Sequence, residues 1–255
     1  MKIDAVVLAG APANEFEDEV PLTSRAMVML DGKTMLDRVL EPISANESIS
    51  RTCAVGHVVS DCADAILEPG DTLVDNVKKA LSEFVDAEYV LLSTSDIPLI
   101  DSDSVSDFLA QALEEDWDLV YPVCRREVAE GLYPDLKRTY VRIADGEFTG
   151  GNMMLIKTDY FDRLLPVLSK LYEYRKQPAK LAGLLGLQII FRFLLSRINT
   201  AFLDLATIEK HASRILGGGR MKALITGHPE ICEDLDKKEE LPLYEAILKE
   251  RSDSI

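Results

Sequence analysis

The sequence predicts an α/β fold: a mostly parallel, doubly wound sheet covered by helices on both faces. Three observations carry this reading. Short β-rich runs recur along the chain, helical patterns separate the first of them, and from residue 159 to 216 the strand signal gives way to helix. With 255 residues, 47% of them hydrophobic, the chain can bury one large core. It reads as one domain, 1–255, carrying a helical insert at 159–216.

Strands are predicted over residues 3–8, 53–59, 89–92, 119–123, 139–143, 153–157 and 223–226, each a short apolar, β-rich run. Between the second and third, DTLVDNVKKALSEF sets Leu73, Val77, Ala80, Leu81 and Phe84 at helical spacing. Asp31-Gly32 between VML and KTML predicts a tight turn, and the run GGG at 217–219 predicts a helix stop and a hinge. Ligands of such sheets bind beyond the carboxyl ends of the strands, which directs attention to residues 8–11, 93–98 and the segment after Thr226.

Charge narrows the function. A formal net charge of −16 argues against a nucleic-acid partner, because phosphate contacts need clustered Lys and Arg. The charge is uneven: residues 157–222 carry 12 basic and 5 acidic side chains, net +7, against −18 for residues 1–156. The apolar run before Gly10 is too short for a signal peptide or a membrane span, so a cytoplasmic location is expected. The four cysteines are scattered without a Cys-x-x-Cys pair and read as small apolar core residues. The most apolar part of the insert, 181–195, is broken by Gln188 and Arg192 and is shorter than the roughly 20 residues a span needs. Segment 181–198 reads as a helix buried on the sheet or on a second subunit, or as an interfacial helix beside anionic lipid.

Gly32-Lys33-Thr34 invites a phosphate-loop reading, but Met27 stands where that loop needs its first glycine. Five segments taken together give a better one: VVLAG, SRAMVMLDGKTML (24–36), SDIPL (95–99), TGGN (149–152) and EDLDKKEEL (233–241). In this order and spacing the chain resembles the molybdenum-cofactor guanylyltransferases and cytidylyltransferases and, more distantly, the sugar-phosphate nucleotidyltransferases. The resemblance covers nearly everything but the insert. It implies a Rossmann-like sheet and a Mg²⁺-dependent transfer of a nucleoside monophosphate from a triphosphate to a phosphorylated acceptor, with release of pyrophosphate.

The resemblance also implies roles. Asp96 matches the metal-binding aspartate, and its place at the end of the buried run YVLLS agrees, since Mg²⁺ takes one or two carboxylates and fills its shell with phosphate and water. The alternative is a turn aspartate before Pro98. Asp234 and Asp236 match a second acidic pair near the metal; on an extended strand they would point to opposite faces, so one of them faces the site, and a solvated linker is the competing reading. Arg25 stands for a phosphate-meeting lysine and keeps the charge. Leu8, Ala9, Gly10 and Ala11 form the triphosphate loop; Gly70, Thr72 and Asn76 approach base and ribose, with Asp71 or Thr72 also serving as a helix N-cap. Gly150, Gly151 and Asn152 meet the acceptor, or make a plain β-turn. Arg125, Arg126, Lys137 and Arg138 flank YPDL and either meet an acceptor phosphate or are solvated. His57, His211 and His228 lack metal spacing, and no Ser-His-Asp or Cys-His arrangement offers a nucleophile.

Two departures stand out. Ala11 replaces a second loop glycine, and no arginine lies between Gly10 and Arg25. Alanine takes positive φ less readily, which suggests a nucleotide-binding sensor or scaffold as one alternative. The basic, apolar insert suggests another: a membrane-associated transferase acting on a lipid phosphate. Glu15, Glu17, Asp18 and Glu19 are expected to face solvent.

Overall fold

Six residues, IDAVVL, form strand β1 (Ile3–Leu8), and both layers of the core are built on its two faces. The computed structural model describes residues 2–13, 16, 24–83, 86–174, 176–177, 180, 183–184 and 186–253. Strand β1 lies between β4 (Ile49–Val55) and β6 (Tyr89–Thr94), parallel to both, with β5 (Ala65–Leu67) parallel beyond β4. Beyond β6 come β10 (Met153–Lys157), antiparallel, and then β7 (Leu119–Arg125), whose far edge takes β11 (Met221–Thr226) in parallel. Strand β9 (Gly146–Gly150) shares with β10 the near edge of β7, and β8 (Val141–Ile143) pairs antiparallel with β9. The sheet is therefore mixed but mostly parallel, and the chain breaks between β9 and β10 at Gly151 and Asn152.

Alternation along β1 sets the layers. Ile3, Ala5 and Val7 pack against α1 (Met35–Ser44) and α3 (Ser102–Ala112), while Val6 faces α2 (Leu73–Glu83) and α5 (Phe161–Tyr174). Helix α1 buries Leu36, Val39, Leu40 and Ile43 at the spacing of one helical face. Thr34 caps it, its Oγ1 accepting from the Asp37 amide at 3.0 Å. Asp101 and Ser104 form a capping box on α3.

The second strand runs over Ile49–Val55, where the sequence pointed to 53–59. The apolar run GHVV continues the pattern, but the chain turns at Gly56, whose amide donates to Leu67 O at 3.0 Å, and Val58 N then bonds Gly56 O. Strands β5 and β9 carried no readable signal, one being three residues long and the other bounded by glycines. Asp31-Gly32 is the tight turn of a small hairpin, β2 (Met29–Leu30) with β3 (Lys33–Thr34).

Between β10 and β11 the described residues are helical: α5, α6 (Leu187–Ser196) and α7 (Leu205–Ile215), with short 3-10 turns at Thr158–Tyr160 and Thr200–Phe202. Gly217, Gly218 and Gly219 all take positive φ, a run that residues with side chains rarely adopt, and they end α7. The remaining helices are α4 (Arg126–Leu132) and α8 (Leu241–Asp253). No described helix is long and apolar enough to cross a membrane. Phe84, the acids Glu15, Glu17, Asp18 and Glu19, and Leu181, Ala182 and Leu185 of the apolar segment lie outside the described residues.

Replacing the α1 cap, Thr34→Ala, should cost about 1 kcal/mol. For a chain of this size that lowers the thermal midpoint by roughly 2–4 °C; an unchanged midpoint in a calorimetric scan would show that the cap contributes nothing.

Candidate functional site

Strands β1 and β6 end side by side, Leu8 opposite Thr94. The loop that follows β1 is tied down on both flanks. Ala9 N donates to Val55 O at 2.9 Å, and Ser24 Oγ donates to Ala9 O at 2.5 Å while lying 3.1 Å from Ala11 O. Ser24 also caps the 3-10 turn Arg25–Met27, accepting from Ala26 N, and Arg25 N donates to Ala11 O at 3.0 Å. Among the described residues Asp31 alone is a non-glycine with positive φ. Ala11 thus sits in ordinary backbone and imposes no strain on this arrangement.

Gly10 sits close to α2: a Cβ there would lie 3.1 Å from Asn76 Nδ2. The same Asn76, buried on α2, accepts from Gly70 N at 2.6 Å through Oδ1. The Asn76 side chain is therefore bonded to the loop before α2 and lies close to the loop after β1. Thr72, and not Asp71, caps α2, its hydroxyl accepting from Asp75 N at 3.1 Å and donating to Asp75 Oδ2 at 2.7 Å.

Beside this loop stands the charged centre. Arg25 lies between two carboxylates, its Nη2 on Asp96 Oδ2 and its Nη1 2.9 Å from Asp236 Oδ1. Leu235 N donates to Asp96 O at 2.7 Å, which clips the acidic segment onto the end of β6, and the fully buried Leu235 side chain packs with Leu99 and Tyr244. A second arginine, Arg138, holds the rest: Nη1 is 2.5 Å from Asp234 Oδ1, Nε 2.6 Å from Glu233 Oε2, and Nη2 donates to Asp234 O and Tyr244 Oη. Burial pushes the Asp234 carboxyl up to about 6; Asp236 and Asp96 push the same way and Arg138 opposes them. Burial raises Glu233 as well, against the pull of Arg138.

Two expectations change here. Asp234 and Asp236 do not point to opposite faces, because residues 233–237 form no strand; Glu233 and Leu235 turn inward, Asp234 interacts with Asp236, and Asp96 lies near enough to act on Asp234. Arg138 is not a solvated surface residue but a largely buried one, paired with Glu233 and Asp234. Arg125 is taken up by Asp145 O and the Phe148 ring, Arg126 by Glu130 and Glu147, and Lys33 by Glu41.

The donor set suits a hard cation. Asp96 Oδ1 is buried without a hydrogen-bond partner, Asp236 shares Arg25 with it, and Asp234 lies near enough to feel its charge. Oxygen donors of this kind suit Mg²⁺ rather than a thiophilic metal. A separate grouping, Asp101, His228 and Glu230, brings ligand atoms within 4.8 Å of one another, but Arg251 already pairs with both of its acids.

TGGN is not a plain β-turn. Thr149 and Gly150 end β9, Gly151 N donates to Pro122 O, and Asn152 bridges the end of β6 and the 3-10 turn Pro229–Cys232, its O accepting from Thr94 N and its N donating to Ile231 O, both at 2.9 Å. That places the break beside Thr94, two residues before Asp96. Of the site, Ser24 and the pairing of Arg138 with Glu233 and Asp234 escaped the sequence reading. Ser24 carried one signal, a serine just ahead of a turn; the partners of Arg138 carried none.

A parallel sheet whose strand ends gather a close backbone loop, an arginine and an acidic cluster is the architecture of a nucleotidyltransferase. The chain belongs to the MobA-like NTP transferase domain family, which matches residues 5–183. A hypothetical transferase from Thermus thermophilus is 34% identical over 94% of this chain and all of its own, with a TM-score of 0.81. CMP:2-keto-3-deoxy-manno-octonic acid synthetase in complex with CTP shares the fold at 14% identity (TM-score 0.60, 98% of this chain and 100% of that one). So does 2-C-methyl-D-erythritol 4-phosphate cytidylyltransferase from Thermus thermophilus, also at 14% (TM-score 0.52, 98% and 100%). No curated protein sequence matches the chain.

Removing Arg138 leaves Glu233 and Asp234 buried and unpaired. Arg138→Ala should therefore destabilise the fold by about 3–5 kcal/mol, read as a lowered midpoint in urea, whereas a loss under about 1 kcal/mol would assign the ion pairs no net role.

Proposed function

We propose that the protein uses Mg²⁺ to join a nucleoside monophosphate, taken from a triphosphate, to a phosphorylated acceptor. The observation that carries this reading is the meeting of Arg25, Asp96 and Asp236 at the end of β6, beside the loop of residues 8–11. An acceptor phosphate oxygen attacks the α-phosphorus in line, the bond to the β-phosphate breaks, and pyrophosphate leaves. No protein nucleophile is needed; positioning and charge neutralisation carry the rate.

Each residue then has a task. The 8–11 loop, held by Ser24 and packed beside Asn76, offers a backbone surface for phosphate. Arg25 meets the leaving pyrophosphate with a planar, bidentate donor. Asp96 with Asp236 or Asp234 would hold Mg²⁺, which when bound neutralises charge on the phosphate oxygens. Gly70 and Thr72 border the nucleoside side, and Gly150, Gly151 and Asn152 the acceptor side. Two fold neighbours carry cytidine chemistry in their names, so CTP is the first triphosphate to try.

Incubation with each nucleoside triphosphate, Mg²⁺ and pools of phosphorylated metabolites should release pyrophosphate. Asp96→Ala should lower the rate by at least about 100-fold, the usual cost of losing one preorganised electrostatic group. Release that survives this substitution removes Asp96 from the metal site.

A further inference from the structure

The face of the sheet under α2, α5 and α7 holds a cavity of about 300 Å³. Its floor includes Leu92, Tyr121 and Met154, and its roof Leu168 from α5 with Ile208 and Ala212, one helical turn apart on α7. The charged side chains that line it, Glu209 and Lys222, lie 3.6 Å apart and answer each other. Protein interiors pack to the density of organic crystals with few voids larger than a water molecule, so a space this large and this apolar is a binding volume. Water and nucleotide bases need hydrogen-bond partners that such a lining lacks.

The cavity adjoins the site. Leu8 belongs to it and leads directly into the loop at Ala9 and Gly10; Val77, next to Asn76 on α2, belongs to it too. Tyr121 is the link to TGGN: its hydroxyl occupies the place a Cβ on Gly150 would take. The elements that roof the cavity come from the one basic stretch of the chain, net +7 over residues 157–222. Neighbouring α6 leaves Phe191 and Leu194 exposed, at 63% and 58%, and Ile198 just beyond it at 86%. Basic charge beside exposed aromatic and aliphatic groups suits the surface of an anionic membrane.

We infer that the acceptor is a lipid phosphate whose hydrocarbon chain occupies this cavity while its phosphate lies by Gly150–Asn152. The inference rests on the transferase reading for its phosphate half and on the cavity for its chain half.

Binding of butyl, octyl and dodecyl phosphate, followed by titration calorimetry, tests it. Affinity should rise about fourfold per methylene until the cavity is full. Ala212→Trp, which fills the space, should abolish that rise and leave butyl phosphate and Mg²⁺·CTP binding as they were; Ile208→Phe is the milder second filling should the tryptophan variant fail to fold by circular dichroism. An affinity that ignores chain length, or a rise that persists in a folded filled variant, overturns the proposal. 1-Octanol binding and thermal stabilisation by Mg²⁺·CTP separate the two halves. Stabilisation without octanol binding overturns the cavity assignment alone. Octanol binding with no stabilisation by any nucleoside triphosphate overturns the transferase reading and with it the acceptor role of the chain.

Discussion

Four carboxylates crowd one corner of the molecule, and the surrounding structure is arranged to hold them there. Glu233, Asp234 and Asp236 arrive on an irregular segment pinned just beyond the end of β6 by the Leu235 amide, and Asp96 meets them from the loop that follows the strand. Two arginines answer that charge in different ways. Arg138 is buried and fully engaged, directing its donors to Glu233, Asp234 and Tyr244, so it fixes the segment. Arg25 is anchored only through its backbone and Ser24, and its side chain spans Asp96 and Asp236 at the open side.

The loop after β1 depends on similarly few contacts. Among the described residues no strained one supports it. Instead Ser24 ties it to the turn that carries Arg25, and the Asn76 side chain on α2 packs close to Gly10. This is why alanine at position 11 is tolerated: the loop's shape comes from its neighbours, not from positive φ. The family match spans residues 5–183, and α6, α7, β11 and the acidic segment that completes the charged corner follow it in the chain.

What the sequence revealed followed from local physics. Strands β1 and β10 were legible to the residue because apolar runs with clear ends need no partner to be recognised. Asp96 was legible because a carboxylate at a strand end is a local event. The buried pairing of Arg138 was not, since its partners lie 95 and 96 residues away and nothing local names them. Asp234 and Asp236 were found, but the alternation rule used to orient them holds only on a strand, and residues 233–237 are irregular. The cavity under α7 was invisible for a related reason: helical spacing shows that Ile208 and Ala212 share a face, not that the face stops short of the sheet.

Arg25 gives the proposed site one more property. A guanidinium shared by Asp96 and Asp236 is already satisfied, so a phosphate that takes it must displace carboxylates, and each displaced carboxylate becomes an open seat for a cation. At the proposed site anion and cation would therefore enter by a single exchange of partners. Affinity for each should rise with the concentration of the other, and neither alone should bind as tightly as the pair.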